Sequence, residues 1–179
     1  METDVSGCAS ITWDTNGEPV SQQFGDVYFA KEQGLDESRY VFIGQNDLPE
    51  RFATLADNAH FIIGETGFGT GLNFLATLEL WRCCAPASAR LHFISAELYP
   101  LNHADLRRAL GLWPQLAPYA DELLRVYPPI LQAEQNSGYF RLNFASNVQL
   151  TLIFADATEA CEALLVADRI TRRFGGLVA

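Results

Sequence analysis

A short apolar run, Phe61-Ile62-Ile63-Gly64, passes directly into Glu65-Thr66-Gly67-Phe68-Gly69-Thr70-Gly71 and then into a helical pattern. A continuous apolar run of this length suits a strand buried on both faces. Phe74, Leu75, Leu78 and Trp81 follow at i, i+1, i+4 and i+7, which makes one apolar stripe on a helix. Strand, glycine turn and helix in that order point to the first unit of a parallel α/β sheet. Glycines between the two elements let the backbone turn tightly and bring its N–H groups close to a ligand.

The rest of the chain continues the alternation. Leu91 to Ser95 reads as a second strand. Asn102 is placed to cap a helix, with Asp105 at its positive end and Leu106, Leu110 and Trp113 on its apolar side. Pro118 and the pair Pro128-Pro129 bracket a further helix. Tyr139, Leu142 and Phe144 lead through Ser146-Asn147 to the alternating Val148, Leu150, Leu152 and Phe154, a hairpin feeding a third sheet strand. Asp156 and Glu159 then form a capping pattern before a short helix over 158–166. Ahead of the glycine turn, residues 11–58 hold the strand-like runs Val27-Tyr28-Phe29 and Tyr40-Val41-Phe42-Ile43, with a turn at Asn16-Gly17. They are expected to form a flap or a small antiparallel ribbon.

Composition narrows the setting. With 49% hydrophobic and 19% charged residues among 179, the chain is expected to hold an ordered core. No apolar run nears the roughly 20 residues that cross a bilayer, and Met1-Glu2-Thr3-Asp4 lacks the features of a secretory signal. A soluble, cytoplasmic protein without a membrane partner is therefore expected. The net charge of −10 opposes extensive nucleic-acid contact, although it is concentrated in residues 1–60, which hold 11 acids against 3 bases. Cys8, Cys83, Cys84 and Cys161 lack metal-ligand spacing and read as reduced, partly buried thiols, and no histidine has a second ligand near it. No metal site is expected.

The chemistry lies in the glycine turn. A nicotinamide-binding turn would read G-x-G-x-x-G and aim the helix at a pyrophosphate. Here Glu65 precedes Gly67, Gly69 and Gly71, and a carboxylate at that place repels pyrophosphate. It suits a positively charged group such as the ammonium of S-adenosylmethionine. Glu97, just past the second strand, is placed to accept hydrogen bonds from two ribose hydroxyls. Asp156, at the end of the third strand, fits either an adenine amino group or a helix cap, and both roles are compatible.

Several stretches together resemble one family. They are Pro19 to Ser21, Phe24 to Phe29, Glu37 to Phe42, Leu91 to Glu97 and, most specifically, the E-T-G-F-G-T-G-L-N-F-L run from Glu65 to Leu75. They resemble the N-terminal methyltransferase domain of the tRNA 5-methylaminomethyl-2-thiouridine biosynthesis bifunctional proteins, MnmC, from about Trp13 to Asp168. The resemblance implies a Rossmann-like α/β fold, S-adenosylmethionine as cofactor, tRNA as substrate, and methylation of the aminomethyl group on the wobble uridine. Glu65, Gly67, Gly69, Gly71, Glu97 and Asp156 are expected to line the cofactor site, and Asp26 and Tyr28, ahead of the first sheet strand, are candidates for closing over it. The family's FAD-dependent oxidoreductase half has no counterpart in the sequence.

The family takes its proton-accepting carboxylate from a D-G-F-A-P motif on the next strand, and that motif does not occur here. The catalytic residue is accordingly unassigned. Three parts are expected: an N-terminal extension or β-ribbon (1–58), the first half of the methyltransferase domain (59–168) and a divergent tail (169–179). The expected sheet is incomplete, with its first strand as an open edge. A codon choice exists for 172–179 whose shifted frame encodes an apolar strand, so a truncated or frameshifted product with impaired catalysis is expected. A second chain supplying the missing half, and a non-catalytic cofactor-binding or interaction fragment, are the accompanying alternatives.

Overall fold

The computed structural model describes Ala9 and residues 11–13, 19–21, 33–128, 138–144 and 147–174. Two short strands, β1 (Ile11–Trp13) and β2 (Pro19–Ser21), pair antiparallel as the N-terminal ribbon. The main sheet holds β3 (His60–Thr66), β4 (Arg90–Ala96), β5 (Gly138–Phe144) and β6 (Val148–Phe154), in the order β3-β4-β6-β5. β3, β4 and β6 run parallel, and β5 returns antiparallel on β6 with Phe144 opposite Val148. The sequence hairpin is thus the antiparallel margin of an otherwise parallel sheet.

One face of the sheet carries the core. Helix α3 (Leu72–Cys84) lays Phe74, Leu75, Leu78 and Trp81 on it, each at most 1% exposed. Phe74 meets Phe93 of β4 and Phe144 of β5 at centroid distances of 5.3 and 5.0 Å, both edge to face. Helix α4 (His103–Leu110) starts where Asn102 accepts the N–H of Asp105 at 2.9 Å, and its Leu106 and Leu110 are buried as their spacing requires. Helix α5 (Ala117–Val126) has proline in its first turn and buries Leu123 and Leu124. The ribbon leans on α4: Trp13 Nε1 donates to Asp105 and Arg108 lies 4.0 Å over the indole.

The segment before β3 differs from the expected strand. Gly34–Glu37 forms a short helix α1, which continues as a π-helical stretch over Ser38–Gly44 and is followed by α2 (Leu48–Ala53). Gln45 N–H donates to Tyr40 O, five residues back, at 3.1 Å. The apolar run Tyr40-Val41-Phe42-Ile43 is split in neighbouring pairs rather than alternately. Tyr40 and Val41 are exposed, whereas Ile43 is buried and Phe42 half-buried. Leu35, Ser38 and Phe42 share one side at helical spacing, and that burial decides the backbone. Val27 to Phe29, the other expected strand, lies outside the described residues.

On the second face of the sheet, helix α6 (Ala157–Phe174) places Ala160 and Leu164 against Ala96 and Ile153. This helix is longer than the segment over 158–166 read from the capping pattern, and it continues past residue 168. Among the described residues β3 pairs with β4 alone, and Ile62 on this strand is 65% exposed. Cys83 and Cys161 are exposed and Cys84 half-buried, so these three free thiols are more accessible than their apolar character suggests.

The aromatic contact at Phe74 joins α3 to two strands. Phe74→Ala is expected to cost about 3–5 kcal/mol, measured by urea unfolding. A loss under about 1 kcal/mol would mean that this contact does not centre the core.

Candidate functional site

The parallel register of β3 on β4 sets Glu65 opposite Ser95 and Thr66 opposite Ala96, so both strands end at one level. The chain leaving β3 turns at Gly67, where φ is +86°, and the Gly67 N–H donates to Ala96 O at 2.7 Å. A Cβ at Gly67 would have no atom within 4 Å, so this backbone borders open space. Gly71 serves differently. Its φ is +73°, it precedes α3, and a Cβ there would stand 2.7 Å from the Phe68 ring. Phe68, itself buried, stacks on Tyr127 with centroids 6.4 Å apart, which pins the turn to the end of α5.

Glu97 follows β4 and reaches the turn from the side. Its Oε2 accepts the Gly69 N–H and its Oε1 accepts the Tyr99 N–H, each at 2.8 Å. Burial pushes this carboxyl up, while the Gly69, Tyr99, Leu98 and Phe68 N–H groups pull it back down. Its carboxylate is a charged acceptor of the kind that the neighbouring hydroxyls of a ribose favour.

A cleft of about 450 Å³ opens over this turn. Gly67, Gly69 and Glu97 line it on the sheet side, and Ser38, Val41 and Phe42 of the π-helical stretch form the facing wall. Sequence reasoning does not identify these wall residues or Asn73 of α3. The helical spacing of Gly34, Ser38 and Phe42 is the signal available for them.

Glu65 lies behind the turn. Its Oε1 accepts Asn73 Nδ2 at 2.9 Å and its Oε2 accepts Ser95 Oγ at 2.6 Å. Burial raises its pKa from the ordinary 4.5 to about 7; the two hydrogen bonds oppose this and the nearby Glu97 charge adds slightly to it. Such a carboxylate favours a cationic neighbour, which restores its charged form. A carboxylate at Glu97, open backbone at Gly67 and a half-buried, desolvated acid at Glu65 fit a nucleoside cofactor with a cationic end.

The turn brings Glu65, Gly67, Gly69, Gly71 and Glu97 together. Asp156 is an exposed cap of α6, its Oδ1 accepting Thr158 N–H at 2.8 Å, and that contact lowers its pKa. Glu65, Gly71 and Asp156 are not among the residues lining the cleft, whereas Gly67, Gly69 and Glu97 are. Asp26 and Tyr28 lie outside the described residues. No group of three or more His, Cys, Asp or Glu side chains suited to a metal occurs among the described residues, and no helix there is long and apolar enough to cross a membrane.

An open sheet with a glycine turn after its first parallel strand and an acid after its second makes a Rossmann-like α/β fold. The crystal structure of MnmC2 from Aquifex aeolicus has this fold, with a TM-score of 0.55 over 84% of this chain and 44% of that one, at 19% identity. No family model matches the chain. It is homologous to the MnmC family, the tRNA 5-methylaminomethyl-2-thiouridine biosynthesis bifunctional proteins. Identity is 54% over 152 residues with the protein of Pseudomonas syringae, 52% over 157 with that of Pseudomonas aeruginosa and 49% over 157 with that of Stutzerimonas stutzeri. The matches cover 84–87% of this chain, which spans 22–23% of the length of these relatives.

The Glu65 geometry links stability to pH with a definite sign. The folded chain holds a proton near pH 7 that the unfolded chain, near 4.5, has already released. The stability from this group is full below the unfolded value and is lost as pH rises through 7, by about 3 kcal/mol in all. Glu65→Gln removes that dependence. Denaturant unfolding is expected to show the variant near the parent at pH 4 and about 1–3 kcal/mol more stable at pH 8. An equal difference at both pH values would contradict this assignment.

Proposed function

We propose that this chain binds S-adenosylmethionine in the cleft over the glycine turn and acts as a tRNA methyltransferase unit in wobble-uridine modification. The acceptor is the aminomethyl nitrogen of 5-aminomethyl-2-thiouridine. The observation that carries the cofactor reading is Glu97, fixed by the Gly69 N–H where it lines the cleft. The substrate reading is supported by homology to proteins named for tRNA 5-methylaminomethyl-2-thiouridine biosynthesis.

In this reading Glu97 takes the two ribose hydroxyls, the Gly67 backbone lets the ligand approach closely, and Glu65 draws its ammonium toward the end of β3. Phe42 and Val41 line the opposite side. When bound, the cofactor supplies a methyl group on a sulfonium. The neutral substrate nitrogen must align with it, and its proton must leave to an acceptor that this reading does not assign. Asp26 and Tyr28 are proposed to close over the site, and Asp156 to take the adenine amino group beside its capping role. Action on tRNA goes with a cytoplasmic location, and a further polypeptide segment is proposed to complete the sheet beside β3.

A cofactor-binding unit and an enzyme are separated by two measurements. Calorimetry with S-adenosylmethionine is expected to give saturable binding. Glu97→Ala is expected to weaken it by about 10- to 100-fold, the value of hydrogen bonds to a charged acceptor. Absence of saturable heat from the folded parent would refute the cofactor reading. Transfer of labelled methyl groups to tRNA carrying the aminomethyl uridine tests turnover, and binding without transfer would leave a non-catalytic cofactor-binding fragment.

A further inference from the structure

One side chain touches the cleft, its wall and the buried carboxylate together. Asn73 lies in the first turn of α3 and lines the cleft beside Ser38. Its Nδ2 donates to Glu65 Oε1 at 2.9 Å, and its Oδ1 accepts the Ser38 hydroxyl at 2.6 Å. Ser38 is 6% exposed and belongs to the π-helical wall. Turning the Asn73 amide around would aim its oxygen at a carboxylate oxygen, which cannot donate when ionised. When ionised, Glu65 therefore orients the amide, and the amide receives the wall hydroxyl.

The electrostatics act in the same direction. Glu97 is the charged group that bears on Glu65, and Glu37 of α1 lines the same cleft. Arg39, on the same stretch as Ser38, is engaged elsewhere, with Glu79 of α3 at 2.9 Å. Acids face the cleft from the sheet and from the wall, which favours a cationic ligand end there. A proton on Glu65 would compete with that cation. It would sit on Oε2, because Ser95 Oγ can accept it whereas Asn73 Nδ2 cannot.

We propose that Asn73, seated by Ser38, is a positioning residue for the cationic end of the cofactor. It keeps Glu65 Oε1 acceptor-only and ties that carboxylate to the wall of the cleft. Seating the ammonium and fixing the wall then become one event, because both use a single amide. This rests on the cofactor-binding reading above, and it adds residues that the glycine-turn motif does not identify as a linked set.

The test uses the whole chain and two readouts. The Glu65 side-chain carboxyl is titrated by carbon-13 NMR without ligand, and S-adenosylmethionine affinity is measured by calorimetry at pH 7.0 and 8.5. Asn73→Ala is expected to raise the Glu65 titration midpoint by about one pH unit. Its affinity is expected to fall about tenfold at pH 7.0 and to recover to within about threefold of the parent at pH 8.5. Ser38→Ala is expected to leave the midpoint in place and to weaken binding about threefold at both pH values.

A purely structural role would weaken Asn73→Ala equally at both pH values with an unmoved midpoint, and that result overturns the proposal. An unchanged affinity in Ser38→Ala overturns the link to the wall, including where Asn73→Ala fails to fold. If the parent binds no S-adenosylmethionine, the function reading fails. The midpoint shift in Asn73→Ala would still decide whether the amide sets the state of Glu65.

Discussion

The register of β3 on β4 is the constraint from which the site follows. Pairing Glu65 with Ser95 and Thr66 with Ala96 ends two parallel strands at the same height. The turn leaving the first strand then meets the acid leaving the second. A shift of one residue would send Glu65 to the other face of the sheet. Buried partners hold the register: Ile63 and Phe93 lie inside, and Phe74 of α3 packs on Phe93. The same helix that fills the core supplies Asn73 to Glu65, so core packing and site geometry are inseparable.

Two carboxylates at such a level are a liability to folding. Each loses water, and each is partly compensated by donors: backbone N–H groups at Glu97, side chains at Glu65. The compensation is uneven. Glu97 sits among backbone donors that the turn provides without side-chain entropy. Glu65 relies on one amide and one hydroxyl, and its pKa remains near 7. A cationic ligand would complete what the protein leaves unfinished, which is how a binding site stores free energy for its ligand at a cost in stability.

Much of the parallel unit is legible in the chain. The stripe Phe74, Leu75, Leu78 and Trp81, the Asn102 cap and the alternating Val148 to Phe154 appear where the pattern puts them, because each depends on neighbours within a few residues. Glu65 and Glu97 are likewise visible as acids at strand ends. Tyr40 to Ile43 reads as a strand and folds as a helix, because a four-residue apolar run is compatible with either period. Its helical state is set by what Leu35, Ser38 and Phe42 bury against the rest of the molecule. Asp156 carries two compatible readings from sequence, and the structure shows the cap.

The sequence by itself determined the order of elements, the positions of the glycines and the sign of the charge beside them. A buried strand gives way to a turn where glycines replace apolar residues, and an acid before that turn opposes a pyrophosphate. Only the tertiary structure decided that Ser38 reaches Asn73, 35 residues further along the chain, since no local rule links a π-helical wall to the first turn of a distant helix. It also decided that the Glu65 carboxyl is desolvated and Asp156 is exposed, because desolvation depends on which surfaces meet when the chain is packed.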